Sequence, residues 1–155
     1  MIHNPCACFG YVLLQNTYSK GNVYEVQTSA LSDTVLFITK GHFVLKDKKT
    51  GEILDEHFPG SFGSDWNDGV SEVVAMEDSE SFCLTAKLNR GYIPETIPVV
   101  IQANETYYFE AGARFFLCQG VLEANGSELV GPCQVGVKSA QSLKAKTDVY
   151  GLIIK

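Results

Sequence analysis

The sequence predicts an all-β fold, a sandwich or barrel of short antiparallel strands, on three observations. Val (15), Ile (8), Thr (9) and the 17 aromatic residues make up about a third of the 155 residues, and these types suit a pleated, half-buried surface. No stretch of 11 or more residues repeats apolar positions at i, i+3, i+4 and i+7, the helical signature. Short apolar runs broken by turn residues recur along the whole chain instead, as in sandwiches and barrels. In order they are Phe9–Gln15, Val23–Gln27, Val35–Thr39, His42–Lys46, Glu52–His57, Val73–Met76 and Phe82–Leu88. The second half continues with Val99–Gln102, Thr106–Phe109, Arg114–Gln119, Val121–Ala124, Glu128–Val130, Gln134–Val137, Ser142–Lys146 and Val149–Ile154. At this length one domain, residues 1–155, is expected. Area scaling, roughly 7,700 Å² folded against 24,700 Å² unfolded, leaves enough buried surface for a core without staples.

Two turns specify pairing. Asn125-Gly126 lies between two strand-like runs, and Asn-Gly suits a type I′ hairpin turn, which needs positive φ at both central positions. A two-residue loop pairs residues whose numbers add to 251, so Phe116, Cys118, Leu122, Leu129, Cys133 and Val135 share the core face, with Cys118 opposite Cys133. The turn Lys48-Lys49-Thr50-Gly51 pairs residues adding to 99 if its loop is symmetrical. Phe43, Leu45, Leu54 and Phe58 then share one face, and His42, Val44, Asp55 and His57 the other. A Gly bulge would shift this by one.

Composition excludes several classes. Gly and Pro together are 12% of the chain, too few for a linker-like polymer. No apolar run approaches the 18 or so residues needed to span a bilayer. MIHNPCACFG lacks the basic and long apolar regions of a signal peptide, so cytoplasmic synthesis is expected. The net charge of -6 argues against nucleic acid as main partner. Five cysteines, an odd number, suggest free thiols in a reducing compartment.

The two hairpins sit in parallel series. Ile38–Leu45, a turn, Gly51–Leu54 and Pro59-Gly60 match Leu117–Leu122, Asn125–Val130 and Gly131-Pro132, and each series closes on an acid-led strand, Asp78–Leu84 and Asp148–Ile154. This run of strand, Gly, strand, turn, strand, Gly and strand resembles the core of the cupin superfamily, over residues 23–88 and again over 99–154. The resemblance implies a jelly-roll double-stranded β-helix, either as two cupin-like repeats or as one jelly roll read twice. Metal-dependent cupins carry a His-x-His pair and a Glu before the first glycine, then a later His. Those places fall near Thr28, Ala30 and Thr34, and again near the Thr106–Phe109 strand and Ala113. With only His3, His42 and His57 in the chain, no family metal ligand carries over, and no metal, cofactor or catalytic residue is expected.

Three functions follow. The expected one is a non-catalytic structural or assembly protein, concretely a phage or virus virion component such as a tail, fibre-attachment or capsid-decorating part. The second is a small-molecule-binding cupin with a pocket lined by Tyr107, Phe109, Phe115 and Phe116. The third is a metal-independent cupin epimerase or isomerase pairing His42 or His57 as base with Tyr24, Tyr107 or Tyr108 as acid.

Smaller motifs read as local structure. Gly60–Ser64 lacks the Lys and helix of a P-loop, and Asp65–Gly69 lacks the spacing of a calcium loop, so both are turns. Trp66 is either a binding-surface anchor or loop packing. His42 and His57 across their hairpin are either solvated strand residues or a metal or pH-sensing pair. His3, Cys6 and Cys8 lack a second cluster to complete a metal site. Charge is more sided. Nine acids and no Lys or Arg fall between Thr50 and Ala86, while residues 1–49 carry +2 and 87–155 carry +1. Such a segment suits homo-oligomer or assembly partners. The apolar terminal strands Phe9–Leu14 and Tyr150–Ile154 lack edge-blunting features and are expected to need covering.

Overall fold

The computed structural model describes residues 2–28, 34–64, 69–85 and 94–155. Among them every regular element is a strand. The first nine are β1 (Ile2–Cys8), β2 (Tyr11–Tyr18), β3 (Val23–Thr28), β4 (Thr34–Lys40), β5 (Phe43–Asp47), β6 (Ile53–His57), β7 (Phe62–Ser64), β8 (Gly69–Ala75) and β9 (Ser79–Thr85). Eight follow: β10 (Thr96–Ile101), β11 (Thr106–Phe109), β12 (Arg114–Gln119), β13 (Val121–Ala124), β14 (Ser127–Val130), β15 (Cys133–Gly136), β16 (Gln141–Ala145) and β17 (Val149–Ile154). The predicted runs from Thr106–Phe109 to Val121–Ala124 and Val149–Ile154 keep their bounds. β1 and the three-residue β7 have no counterpart among the predicted runs. β1 carries Pro5, and β7 is too short to show a period.

Two compact units divide the chain, residues 1–5 with 11–93 and residues 6–10 with 94–155. The first holds the sheets β1-β2-β9-β4-β7 and β3-β8-β5-β6, apart from the last three residues of β1; the second holds β10-β17-β12-β15 and β11-β16-β13-β14. Strand order in the second unit is that of β2 to β9 with eight added to each number. Local details coincide as well. The side chain of Asp78 accepts from the Lys20 N–H at 2.9 Å, and that of Asp148 from the Ala103 N–H at 2.9 Å. Gly21 N–H donates to Ala75 O, and Asn104 N–H to Ala145 O. A bulge precedes Gly41 in β4 and Gly120 in β12. Both glycines have positive φ, +85° and +107°, and a Cβ there would collide with the backbone at Asp78-Ser79 or Asp148-Val149.

Each unit buries its own apolar cluster. In the first, Tyr18, Ile38, Phe43, Leu45, Val73 and Ala75 pack together, with Tyr24 and Leu36 against them. In the second, Val99, Ile101, Phe109, Phe115, Leu117, Leu122 and Leu143 form the centre. Inward and outward residues alternate along these strands because a pleat turns successive side chains to opposite faces.

The Asn125-Gly126 turn has φ of +50° and +78°, and β13 and β14 pair as predicted, Val121 with Val130 and Leu122 with Leu129. Beyond Gly120 the predicted register fails. Cys133 pairs with Leu117, not Cys118, and Gln134 with Phe116. The bulge between Leu117 and Gln119 inserts one residue, and a one-residue slip turns every side chain over. Phe115 and Leu117 therefore join Leu122 in the core cluster, with Leu129, Cys133 and Val135 against it, whereas Phe116 and Cys118 are buried on the opposite face of β12. None of the five cysteines forms a disulfide. The β5–β6 hairpin takes the register shifted by one that a Gly bulge would give: Phe43 pairs with His57, Val44 with Glu56 and Leu45 with Asp55, returning to the symmetrical register only at Lys46 with Ile53. His57 thus shares the face of Phe43, and His42 that of Phe58.

The terminal strands need no covering from outside. β2 lies between β1 and β9, and β17 between β10 and β12, so both edges of each are paired within the chain.

Candidate functional site

A half-open cleft of about 490 Å³ lies in the second unit where β10 and β12 begin and β11 and β17 end. Its apolar walls are Ile97, Phe109, Ile153 and Ile154, with Tyr107, Tyr108, Glu110, Arg114 and Lys155 supplying polar groups. Strand pairing sets Ile97 directly across from Ile153. Phe109 is buried in the core and its ring meets Tyr107 at 4.9 Å and Phe115 at 5.0 Å. Alternation along β11 then turns Tyr108 outward, 61% exposed. Of the pocket residues read from the sequence, Tyr107 and Phe109 line the cleft, whereas Phe115 and Phe116 are fully buried and do not.

Arg114 supplies the cleft with positive charge. Its guanidinium lies over the Phe9 ring, 5.8 Å from the centroid, and Phe9 N–H is held by Gln134 Oε1 at 2.9 Å. The neighbouring Cys8 thiol is pushed up to about 12 by burial, against the lowering effect of Arg114. It stays protonated at neutral pH, so no thiolate neutralises the arginine. Sequence reasoning misses Arg114, although it directly follows Ala113, one of the counted ligand places.

In the second unit those ligand places hold no metal-ligating side chains. Tyr107 and Phe109 point inward from β11, and Ala113 has no donor. No group of three or more His, Cys, Asp or Glu capable of holding an ion exists among the described residues. In the first unit Ala30 and the side chains of Thr28 and Thr34 lie outside the described residues, as do Asp65–Asp68 with Trp66, and the His3 side chain.

Within the first unit His42, His57 and Tyr24 each have other neighbours. His42 stacks on Phe58 at 4.4 Å, with Nε2 3.4 Å from Glu56 Oε2. That Nε2 is shielded from water and makes no aligned hydrogen bond. His57 leans on Phe43 at 5.0 Å, with Nε2 3.5 Å from Asp55 Oδ2. The two imidazoles thus have separate neighbours on opposite faces of the hairpin. Tyr24 Oη accepts from Ser19 N–H at 3.1 Å and Asn22 Nδ2 at 3.2 Å, and these donors lower the phenol to about 8.

Two units that share one order of eight strands, β2 to β9 and β10 to β17, each closed by a positive-φ glycine after a bulge, define a jelly roll of the cupin type. Known structures agree: the chain has the cupin fold. It is similar to AerE from Microcystis aeruginosa, at 11% identity and TM-score 0.57, over 99% of this chain and 91% of that one. It is similar to HutD from Pseudomonas fluorescens SBW25, at 14% identity and TM-score 0.57, over 97% and 84%. A cupin 2 conserved barrel domain protein from Leptotrichia buccalis matches at 8% identity and TM-score 0.52, over 99% and 88%. No protein-family model and no curated protein matches the sequence. No helix among the described residues is long and apolar enough to cross a membrane.

Proposed function

We propose that this chain is a non-catalytic binding protein whose second unit holds a small molecule with an apolar body and a carboxylate. The observation that carries the reading is the cleft, with isoleucine and aromatic walls and Arg114 among its lining residues. A volume of about 490 Å³ falls in the range of small-molecule sites, which pair apolar walls with a few placed polar groups. Guanidinium and carboxylate match in geometry and charge. The test is calorimetric titration with benzoate and cyclohexanecarboxylate, using benzylamine as the cationic control. The carboxylates are expected to bind and benzylamine not to. Arg114→Gln should weaken binding about tenfold, the worth of one charged hydrogen bond. Equal binding of all three compounds, or none at millimolar concentration, would sink the proposal.

A second reading, an assembly subunit such as a virion part, draws support from the acidic run between Thr50 and Ala86. Its edge strand β6 also exposes Ile53 and Leu54. A concentration-dependent mass above 17 kDa in native mass spectrometry would favour it.

A further inference from the structure

The two units carry the same cross-strand row on the outer face of their second sheet, with different residues in it. In the second unit the row runs Thr106, Lys144, Glu123, Glu128 across β11, β16, β13 and β14. It is polar throughout, as a solvent face of an antiparallel sheet should be. In the first unit the same row runs Val23, Val74, Val44, Glu56 across β3, β8, β5 and β6. Three valines stand where the sister unit has a threonine, a lysine and a glutamate. None of the three belongs to the core cluster of Phe43, Leu45, Val73 and Ala75; Val23 is 56% exposed and Val74 partly so, whereas Val44 is buried.

The apolar strip continues one step along the strands. Met76 N–H donates to His42 O, as Lys146 N–H donates to Val121 O in the second unit. Met76 therefore takes the place of Lys146. His42 stacks on Phe58, and Met76 and Phe58 are both about half exposed. The strip thus runs Val23, Val74, Met76, His42, Phe58 along one face. Its rim is acidic. Glu56 lies beside His42, Glu77 follows Met76 in sequence, and Glu72 faces the same side as Val74. Lys46 also lies on this face, directly opposite Glu72 in the register. No Lys or Arg occurs between Thr50 and Ala86.

We infer that this face docks a basic, amphipathic segment of another protein, one that lays apolar side chains on the valine–methionine strip and sets lysines or arginines against Glu56, Glu72 and Glu77. Apolar contact supplies the affinity, and the acidic rim selects against neutral and acidic partners. The site is separate from the cleft, and either proposal can fail alone.

The sister unit supplies substitutions that the fold already accommodates. Val74→Lys and Met76→Lys install the residues of Lys144 and Lys146. The probe is a synthetic peptide of alternating leucine and lysine, with the leucine–glutamate peptide of equal length as control, titrated by fluorescence anisotropy. The lysine peptide should bind, weaken with added salt, and lose about tenfold or more in the Val74→Lys/Met76→Lys variant. Circular dichroism and the melting temperature would check that the variant stays folded. Amide shifts in NMR should map to residues 23, 44, 58, 74 and 76. Equal binding of the two peptides, unchanged binding by the variant, or no binding at millimolar peptide each overturns the inference. Self-association that the same substitutions abolish would give the face to a second copy instead, and overturns the basic partner too.

Discussion

At the scale of single residues, two pairs of glycines separate conformation from space. Gly41 and Gly120 adopt positive φ where the following acid-led strand presses on the backbone, whereas Gly51 and Gly126 adopt it in open turns with nothing within 4 Å of where a Cβ would stand. An L side chain pays about 1–2 kcal/mol for the left-handed region alone. Gly51→Ala should cost about that amount. Gly41→Ala must also displace the backbone at Asp78 and Ser79, so a loss of about 3 kcal/mol or more is expected. Urea denaturation of the two variants checks this, and equal losses would mean the close approach is not needed. The sequence repeat singles out Gly41 and Gly120 by spacing; what makes them necessary is a contact with residues far along the chain.

At the scale of elements, the β5–β6 hairpin has a pH-dependent turn. Asp47 Oδ1 accepts N–H bonds from Thr50 at 2.9 Å and Lys49 at 2.8 Å, and these hold its carboxyl below the ordinary range, the Thr50 bond contributing most. A depressed folded pKa favours the native state above the unfolded value and loses that advantage as pH falls through the folded value. The stability gap between wild type and Asp47→Ala should therefore be full near pH 6 and shrink below about pH 4. A gap constant down to pH 2 would exclude the carboxylate as its source. Both hairpins also mark where sequence reading ends. Turn chemistry placed β13 on β14 correctly, because Asn-Gly dictates its own geometry. In β5–β6 it offered both the symmetrical register and the one-residue Gly-bulge shift that the strands adopt, and it failed past Gly120, where a bulge adds a residue without any composition signal.

At the scale of the molecule, the two units have separate apolar centres. Leu122 is fully buried in that of the second unit, and Leu122→Ala should cost about 2–5 kcal/mol through lost transfer energy and a cavity. Hydrogen exchange should report the loss first in residues 94–155, since opening follows local cores. Uniform loss over both units would instead mean that they unfold as one. The cleft is also a property of this scale. Its walls come from four strands, and Arg114 reaches it from the start of β12.

The order of short apolar runs, the Asn-Gly turn and the spacing of glycines were local signals, and they sufficed for an all-β chain with a cupin-like series repeated within it. Pleat alternation and turn stereochemistry act over a few residues, so the chain declares them directly. Tertiary structure alone decided which face each residue joins after a bulge, since a single inserted residue reverses all that follow. It also decided that β2 and β17 are covered within the chain, and that Arg114 lines one cleft with Ile97 and Ile153. Such contacts depend on strand order, and strand order is set by which surfaces can be buried together rather than by any segment's own pattern.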